Sequence, residues 1–199
     1  SVLSTFSPPI IPKDRPTVAS FLKAQGYHTA CIGKWHLGMT WVDRDKKQKE
    51  LPMGARMTGG PNALGFDYFY GFTHARNIGS IIEQDRIVDE VTAVENQPLM
   101  IAKALEYIGD RADSDQPFFL YFPMCPPHKP IVPAPEFIGK GGSEGRYGDW
   151  VHQGDHMLGQ ILDALKKHSL AENTLVIATA DNGAAKREYE PHRAHKGSI

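Results

Sequence analysis

Three times along this chain a run of apolar and aromatic residues empties directly into a polar loop, and this repeated pattern restricts the fold more than any other feature. Tyr27 to Trp35 runs on to His36 and Gly38; Pro117-Phe118-Phe119-Leu120-Tyr121-Phe122 gives way to Cys125-Pro126-Pro127-His128-Lys129-Pro130; and Asn173-Thr174-Leu175-Val176-Ile177-Ala178-Thr179-Ala180 enters Asp181-Asn182-Gly183. Tyr27 to Trp35 is rich in small, aromatic and β-compatible residues, and Pro117 to Phe122 is continuously apolar, as a strand buried on both faces of a parallel sheet with helices above and below requires. Asn173 to Ala180 predicts a second such strand. Between them lie helical signals. Val18, Phe21 and Leu22 share a face ahead of Gly26, predicting a helix over about 16–25 that opens at Pro16. Ile101, Leu105 and Ile108 predict a second over about 98–109 that starts at Pro98. Leu158, Ile161, Leu162 and Leu165 form the stripe of a third, capped by Asp149 and closed by Lys166, Lys167 and His168. Helix alternating with strand predicts an α/β fold whose mixed, mostly parallel sheet is flanked by helices.

The remaining segments fit around that frame. Phe66 to Phe72 is strongly aromatic and predicts a further buried strand; Ser80 to Ile82 and Arg86 to Val88 predict two short ones. Thr40 to Gly65 is polar and broken by Pro52, Gly54, Gly59, Gly60 and Pro61, which predicts a long surface excursion.

Composition narrows the function by exclusion. Lys plus Arg number 22 against 23 Asp plus Glu, a net charge of −1, so the basic excess that displaces counterions from nucleic acid is missing. No nucleic-acid partner is expected. No apolar run approaches the length of a membrane span. Cys31 and Cys125 are too few for a disulfide framework, and their spacing is not that of a zinc site.

In open α/β sheets the loops leaving the C-terminal strand ends converge on the ligand crevice, so Lys34, His36, His128, Asp181 and Asn182 are candidates for one site. Lys34 and His36 leave the same face if the chain stays extended. An ammonium there can neutralise an oxyanion and an imidazole can transfer a proton, although a solvated strand end carries the same residues. Asp181 and Asn182 offer hard oxygen donors of the kind calcium or magnesium takes, and they equally suit a simple Asn-Gly turn. His128 stands among prolines that stiffen its backbone. Lys196 falls in a basic stretch with His192, Arg193 and His195.

These segments, in this order, resemble the type I sulfatases. Gly26-Tyr27-His28-Thr29 followed by Gly33-Lys34-Trp35-His36 is similar to that family's second signature, and Gly65-Phe66-Asp67-Tyr68-Phe69-Tyr70-Gly71, the loop around His128, Asp181-Asn182-Gly183 and His195-Lys196-Gly197-Ser198 resemble further family segments. The resemblance implies an alkaline-phosphatase-like fold, with residues 1–199 forming an incomplete part of an N-terminal catalytic domain. It implies that Lys34 and Lys196 contact sulfate, that His36 assists its release, that His128 binds the ester or protonates its leaving oxygen, and that Asp181 and Asn182 ligate calcium.

The family's nucleophile is a formylglycine made from cysteine in a Cys-x-Pro/Ala-x-Arg motif, and an upstream Asp-Asp pair supplies further calcium ligands; neither motif occurs here. Cys125 lacks the arginine and lies on the histidine loop, and Cys31 reads as a small buried hydrophobe. The resemblance therefore implies an internal piece of a longer sulfuric ester hydrolase, inactive alone. Two alternatives stay open: a phosphomonoester or phosphonate hydrolase of the same superfamily, and a non-catalytic relative that binds sulfated glycans. The substrate class implied is an aryl sulfate or sulfated glycan. The lack of an Asn-x-Ser/Thr sequon favours a periplasmic or secreted parent over a lysosomal one.

Overall fold

The computed structural model describes residues 3, 4, 6–42 and 51–183. In chain order its elements are α1 (Val18–Ala24), β1 (His28–Lys34), β2 (Thr40–Trp41), β3 (Met57–Thr58), β4 (Tyr68–Phe72), β5 (Ser80–Glu83), β6 (Arg86–Glu90), α2 (Ala93–Ala112), β7 (Phe118–Tyr121) and α3 (Gly145–Lys167), with short 3₁₀ turns between them. Five strands make one mixed sheet in the order β6-β5-β4-β1-β7. β1 runs parallel to both β4 and β7, while β4, β5 and β6 are successively antiparallel.

The sheet is covered on both faces, as the apolar character of β1 requires. Alternation along β1 sends Ala30 and Ile32 to a core with Phe72, Met100, Trp150 and Met157, on the side of α2 and α3. Cys31 points the other way, to a core with Ala19 of α1, Trp35, Leu64, Phe66 and Phe69. The described parts of the stretch from Thr40 to Gly65 pack on this second core through Trp41, Leu51 and Met57.

Helix boundaries differ from expectation where capping outweighs proline. α1 begins after Pro16 because Thr17 is its N-cap: the Ser20 amide donates to the Thr17 hydroxyl, and the Ser20 hydroxyl accepts from the Thr17 amide. α2 begins at Ala93, not Pro98, since Thr92 and Glu95 form the same reciprocal box and Pro98 lies inside the helix. α3 begins at Gly145, and Asp149 is buried within it, where its carboxylate accepts the Gly141 amide at 2.6 Å. Of the expected α3 stripe, Ile161 and Leu165 are buried beside Trp150 and Met157, and Leu162 is exposed.

Two strand expectations are corrected. β7 is the edge of the sheet, its residues only partly covered, and not a strand buried on both faces. Residues 174–180 form no strand; Leu175 is 85% and Ile177 76% exposed. A continuous apolar segment is stable as a strand only with a neighbour to satisfy its backbone and layers over its side chains, and the described residues provide neither.

Candidate active site

The parallel ladder makes β1, β4 and β7 end together. Past the strand ends the pairing continues: the Trp35 amide donates to the Phe72 carbonyl at 3.0 Å, and the His36 amide to the Thr73 carbonyl at 2.7 Å. On the other side the Lys34 amide donates to the Pro123 carbonyl at 2.9 Å. Glycine allows this close approach. A Cβ on Gly33, at φ +132°, would meet the Pro123 oxygen at 2.4 Å. Loops from three strands therefore start at one sheet end: Lys34 closes β1 and His36 follows it, Thr73 and His74 follow β4, and the chain to His128 follows β7.

His36 takes φ +50°, a left-handed backbone that is uncommon for a residue with a side chain. Its Nε2 donates to the Leu3 carbonyl at 3.1 Å. Its ring lies 5.2 Å, centroid to centroid, from that of His74. His74 is buried, and its Nδ1 accepts the Arg76 amide at 2.9 Å. Burial first, and then the positive neighbours His36, Arg76, Lys34 and His128, push its pKa down to about 4. The same set of neighbours shows Lys34, His36 and His128 to be electrostatically close to one buried imidazole.

The His128 loop is fastened to two helices. The Cys125 amide donates to Gln97 Oε1 of α2 at 3.0 Å, Trp150 Nε1 of α3 donates to the His128 carbonyl at 2.9 Å, and the Ala134 amide donates to Gln153 Oε1 at 2.8 Å. His128 itself is exposed and its Nδ1 donates to the Lys129 carbonyl, so a proton taken up by the neutral ring goes to Nε2. Asp181 and Asn182 are exposed at the end of the unpaired segment. Asp181 lies near enough to Tyr121, at the end of β7, to contribute after burial and Cys31 to the raised pKa of that phenol. Lys196 lies outside the described residues.

This end of the sheet carries an ammonium and imidazoles, groups of the kind that attract an anion or transfer a proton. The Sulfatase family model matches residues 2–199, the greater part of that span being the framework just described. The chain belongs to the sulfatase family. Human arylsulfatase A is 30% identical over 199 residues, covering 87% of this chain and 36% of that protein. Human arylsulfatase H is 28% identical over 237 residues, covering 87% and 42%. The N-acetylgalactosamine-6-sulfatase of Canis lupus familiaris is 28% identical over 194 residues, covering 88% and 34%. The chain thus spans about a third to two fifths of the curated relatives it matches. Among solved structures, Ps i-CgsB in complex with k-i-k-neocarrahexaose superposes with a TM-score of 0.76 at 24% identity, over 98% of this chain and 48% of that one. The fold is accordingly the alkaline-phosphatase-like fold of the sulfatases.

Within this sulfatase chain neither cysteine is presented to the site. Cys31 is fully buried, and burial raises its thiol pKa far above the ordinary value; Cys125 is buried too, and its pKa is pushed up to about 11 by burial despite the opposing charge of Lys34. For a calcium ion, Asp181 and Asn182 are donors of the right hardness but only part of a shell. Among the described residues no group of three or more His, Cys, Asp or Glu could hold a metal. The pattern of the chain alone does not single out His74, Gln97, Trp150 or Gln153. Only His74 carries a signal: it follows an aromatic strand, in the same order of strand and polar loop that marks the others.

Proposed function

We propose that this chain is part of a sulfatase catalytic domain, supplying the sulfate-binding and proton-transferring side of a site that cleaves a sulfate monoester. The observation that supports this reading is that Lys34, His36 and the chain leading to His128 all leave the same end of the sheet, with the His36 ring beside His74, in a chain matched over nearly its whole length by the sulfatase family. The ester is an anion, and its cleavage concentrates negative charge on the bridging oxygen. Lys34, with Lys196, would neutralise the sulfate oxygens; His128, carrying its second proton on Nε2, would protonate the leaving oxygen; His36 would assist release of the sulfate. A calcium ion held by Asp181 and Asn182, with ligands from outside the described residues, would add fixed positive charge at the sulfate. The nucleophile, formylglycine in the family, would come from neither Cys31 nor Cys125. The printed names of relatives such as the N-acetylgalactosamine-6-sulfatases support a sulfated sugar as the substrate class. The whole enzyme would work in the periplasm or outside the cell. Among the described residues no helix is long and apolar enough to cross a membrane.

Calorimetric titration of purified residues 1–199 with sulfate tests the reading. Binding is expected, weakened about tenfold in Lys34→Ala, which corresponds to about 1.4 kcal/mol. The same protein should release no sulfate from an aryl sulfate. Sulfate binding indifferent to Lys34→Ala would refute the site; turnover abolished by that substitution would refute the dependence on an outside nucleophile. Clear preference for phosphate would favour a phosphoester hydrolase.

A further inference from the structure

We infer that His74 is a positioning residue for His36, its flat buried ring holding the His36 imidazole in one orientation beside the anion. The inference rests on the sulfate-site reading above and adds to it a residue that touches no substrate. Four observations converge on it. The two rings are neighbours, 5.2 Å apart and inclined by 38°, because the β1–β4 pairing extends to the bond between the His36 amide and the Thr73 carbonyl. The backbone beneath His36 is held in the left-handed region, at φ +50°, and the neighbouring Thr73 hydroxyl is buried with no hydrogen-bond partner. Both features cost stability, and such costs persist where the surroundings hold a functional geometry in place. His74 is itself immobilised: its Nδ1 caps the turn Ala75–Asn77 through the Arg76 amide, which places the proton of the neutral ring on Nε2.

The fourth observation is electrostatic. A cationic ring at this position would repel both His36 and the Lys34 ammonium, and burial among positive neighbours keeps His74 uncharged across the neutral range. His74 can therefore pack closely against His36 without adding a charge to the site. His36 in turn is gripped on its far nitrogen by the Leu3 carbonyl. Ring packing on one side and that hydrogen bond on the other leave the imidazole little freedom to rotate.

Two substitutions separate the ring from the cap. His74→Asn retains an acceptor for the Arg76 amide and removes the ring; His74→Phe retains a flat, uncharged ring and removes the cap. Long-range nitrogen–proton NMR of residues 1–199 reads the His36 tautomer, and sulfate titration reads the site. Expected for His74→Asn are a mixture of His36 tautomers and about tenfold weaker sulfate binding. For His74→Phe the tautomer stays fixed, with affinity within about threefold of the parent. Asn behaving like the parent, or Phe losing as much as Asn, overturns the proposal. If the parent protein binds no sulfate the anion-site reading fails, and the tautomer measurements alone then decide the role of His74.

Discussion

The carbonyl oxygen of Gly33 occupies the place where a Cβ on Gly71 would have to go, 1.9 Å from that ideal position. These two residues face each other across the β1–β4 ladder, at the end from which the candidate site is built.

Gly71→Ala should therefore be severely destabilising, because backbone on both strands must shift. About 3 kcal/mol or more is expected in urea unfolding, at the upper end of overpacking costs. Gly159→Ala is the contrasting case. Gly159 lies in α3 with open space where an added methyl would sit, so the gain in helix propensity should raise stability by about 0.5–1 kcal/mol.

Asp67 joins α1 to the start of β1. Burial opposes its charge, but hydrogen bonds from Lys23 and from the amide and hydroxyl of Thr29 more than offset this, and its pKa lies below the ordinary carboxylate value. A carboxylate depressed in the folded state contributes stability that is present above its unfolded pKa and is lost as pH falls through the folded one. Urea midpoints measured from pH 6 downward should fall below about pH 4 in the parent. The decline should be shallower in Asp67→Asn; equal slopes would deny Asp67 this role.

Both thiols should be silent in the folded protein. Cys31 and Cys125 are buried with raised pKa values, so a disulfide reagent at pH 8 should label neither in native buffer and both in concentrated urea. Rapid native labelling of Cys125 would show that its loop opens.

The His128 loop depends on Trp150 for one hydrogen bond. Trp150→Phe keeps most of the apolar volume and leaves the His128 carbonyl unpaired. A loss of about 1–3 kcal/mol is expected, with increased mobility of His128 in NMR relaxation, whereas the exposed Leu162 should tolerate alanine with little change.

Leu175 and Ile177 present large apolar side chains to solvent on a segment with no strand partner among the described residues. Leu175→Lys with Ile177→Lys should reduce binding of a hydrophobic dye and self-association in light scattering, while leaving the unfolding midpoint nearly unchanged. A large fall in the midpoint would mean that the segment packs against the fold in solution.

Much of the framework was legible in the chain. The run from Tyr27 to Trp35 anticipates β1, the aromatic run to Phe72 anticipates β4, and the short strands near Ser80 and Arg86 are present and longer than expected. The start of α2 was legible as well, in Thr92 and Glu95, but Pro98 offers a competing start signal that the capping box overrides. Residues 174–180 show the opposite outcome. Their pattern matches that of Pro117 to Phe122, yet only the latter pairs with another strand.

By itself the sequence determined which segments have the period and apolarity of strands and helices, that the strands lead into polar loops, and that Lys34 stands at a strand end with His36 and His128 on the loops beyond. These are local properties, set by side-chain chemistry and spacing along a few residues. Only the tertiary structure decided that β7 is an edge, that Gln97, Trp150 and Gln153 hold the His128 loop, and that His74 lies against His36. Each of those depends on strand register or helix packing between residues far apart in the chain, and a local pattern carries no information about which distant partner will complete it.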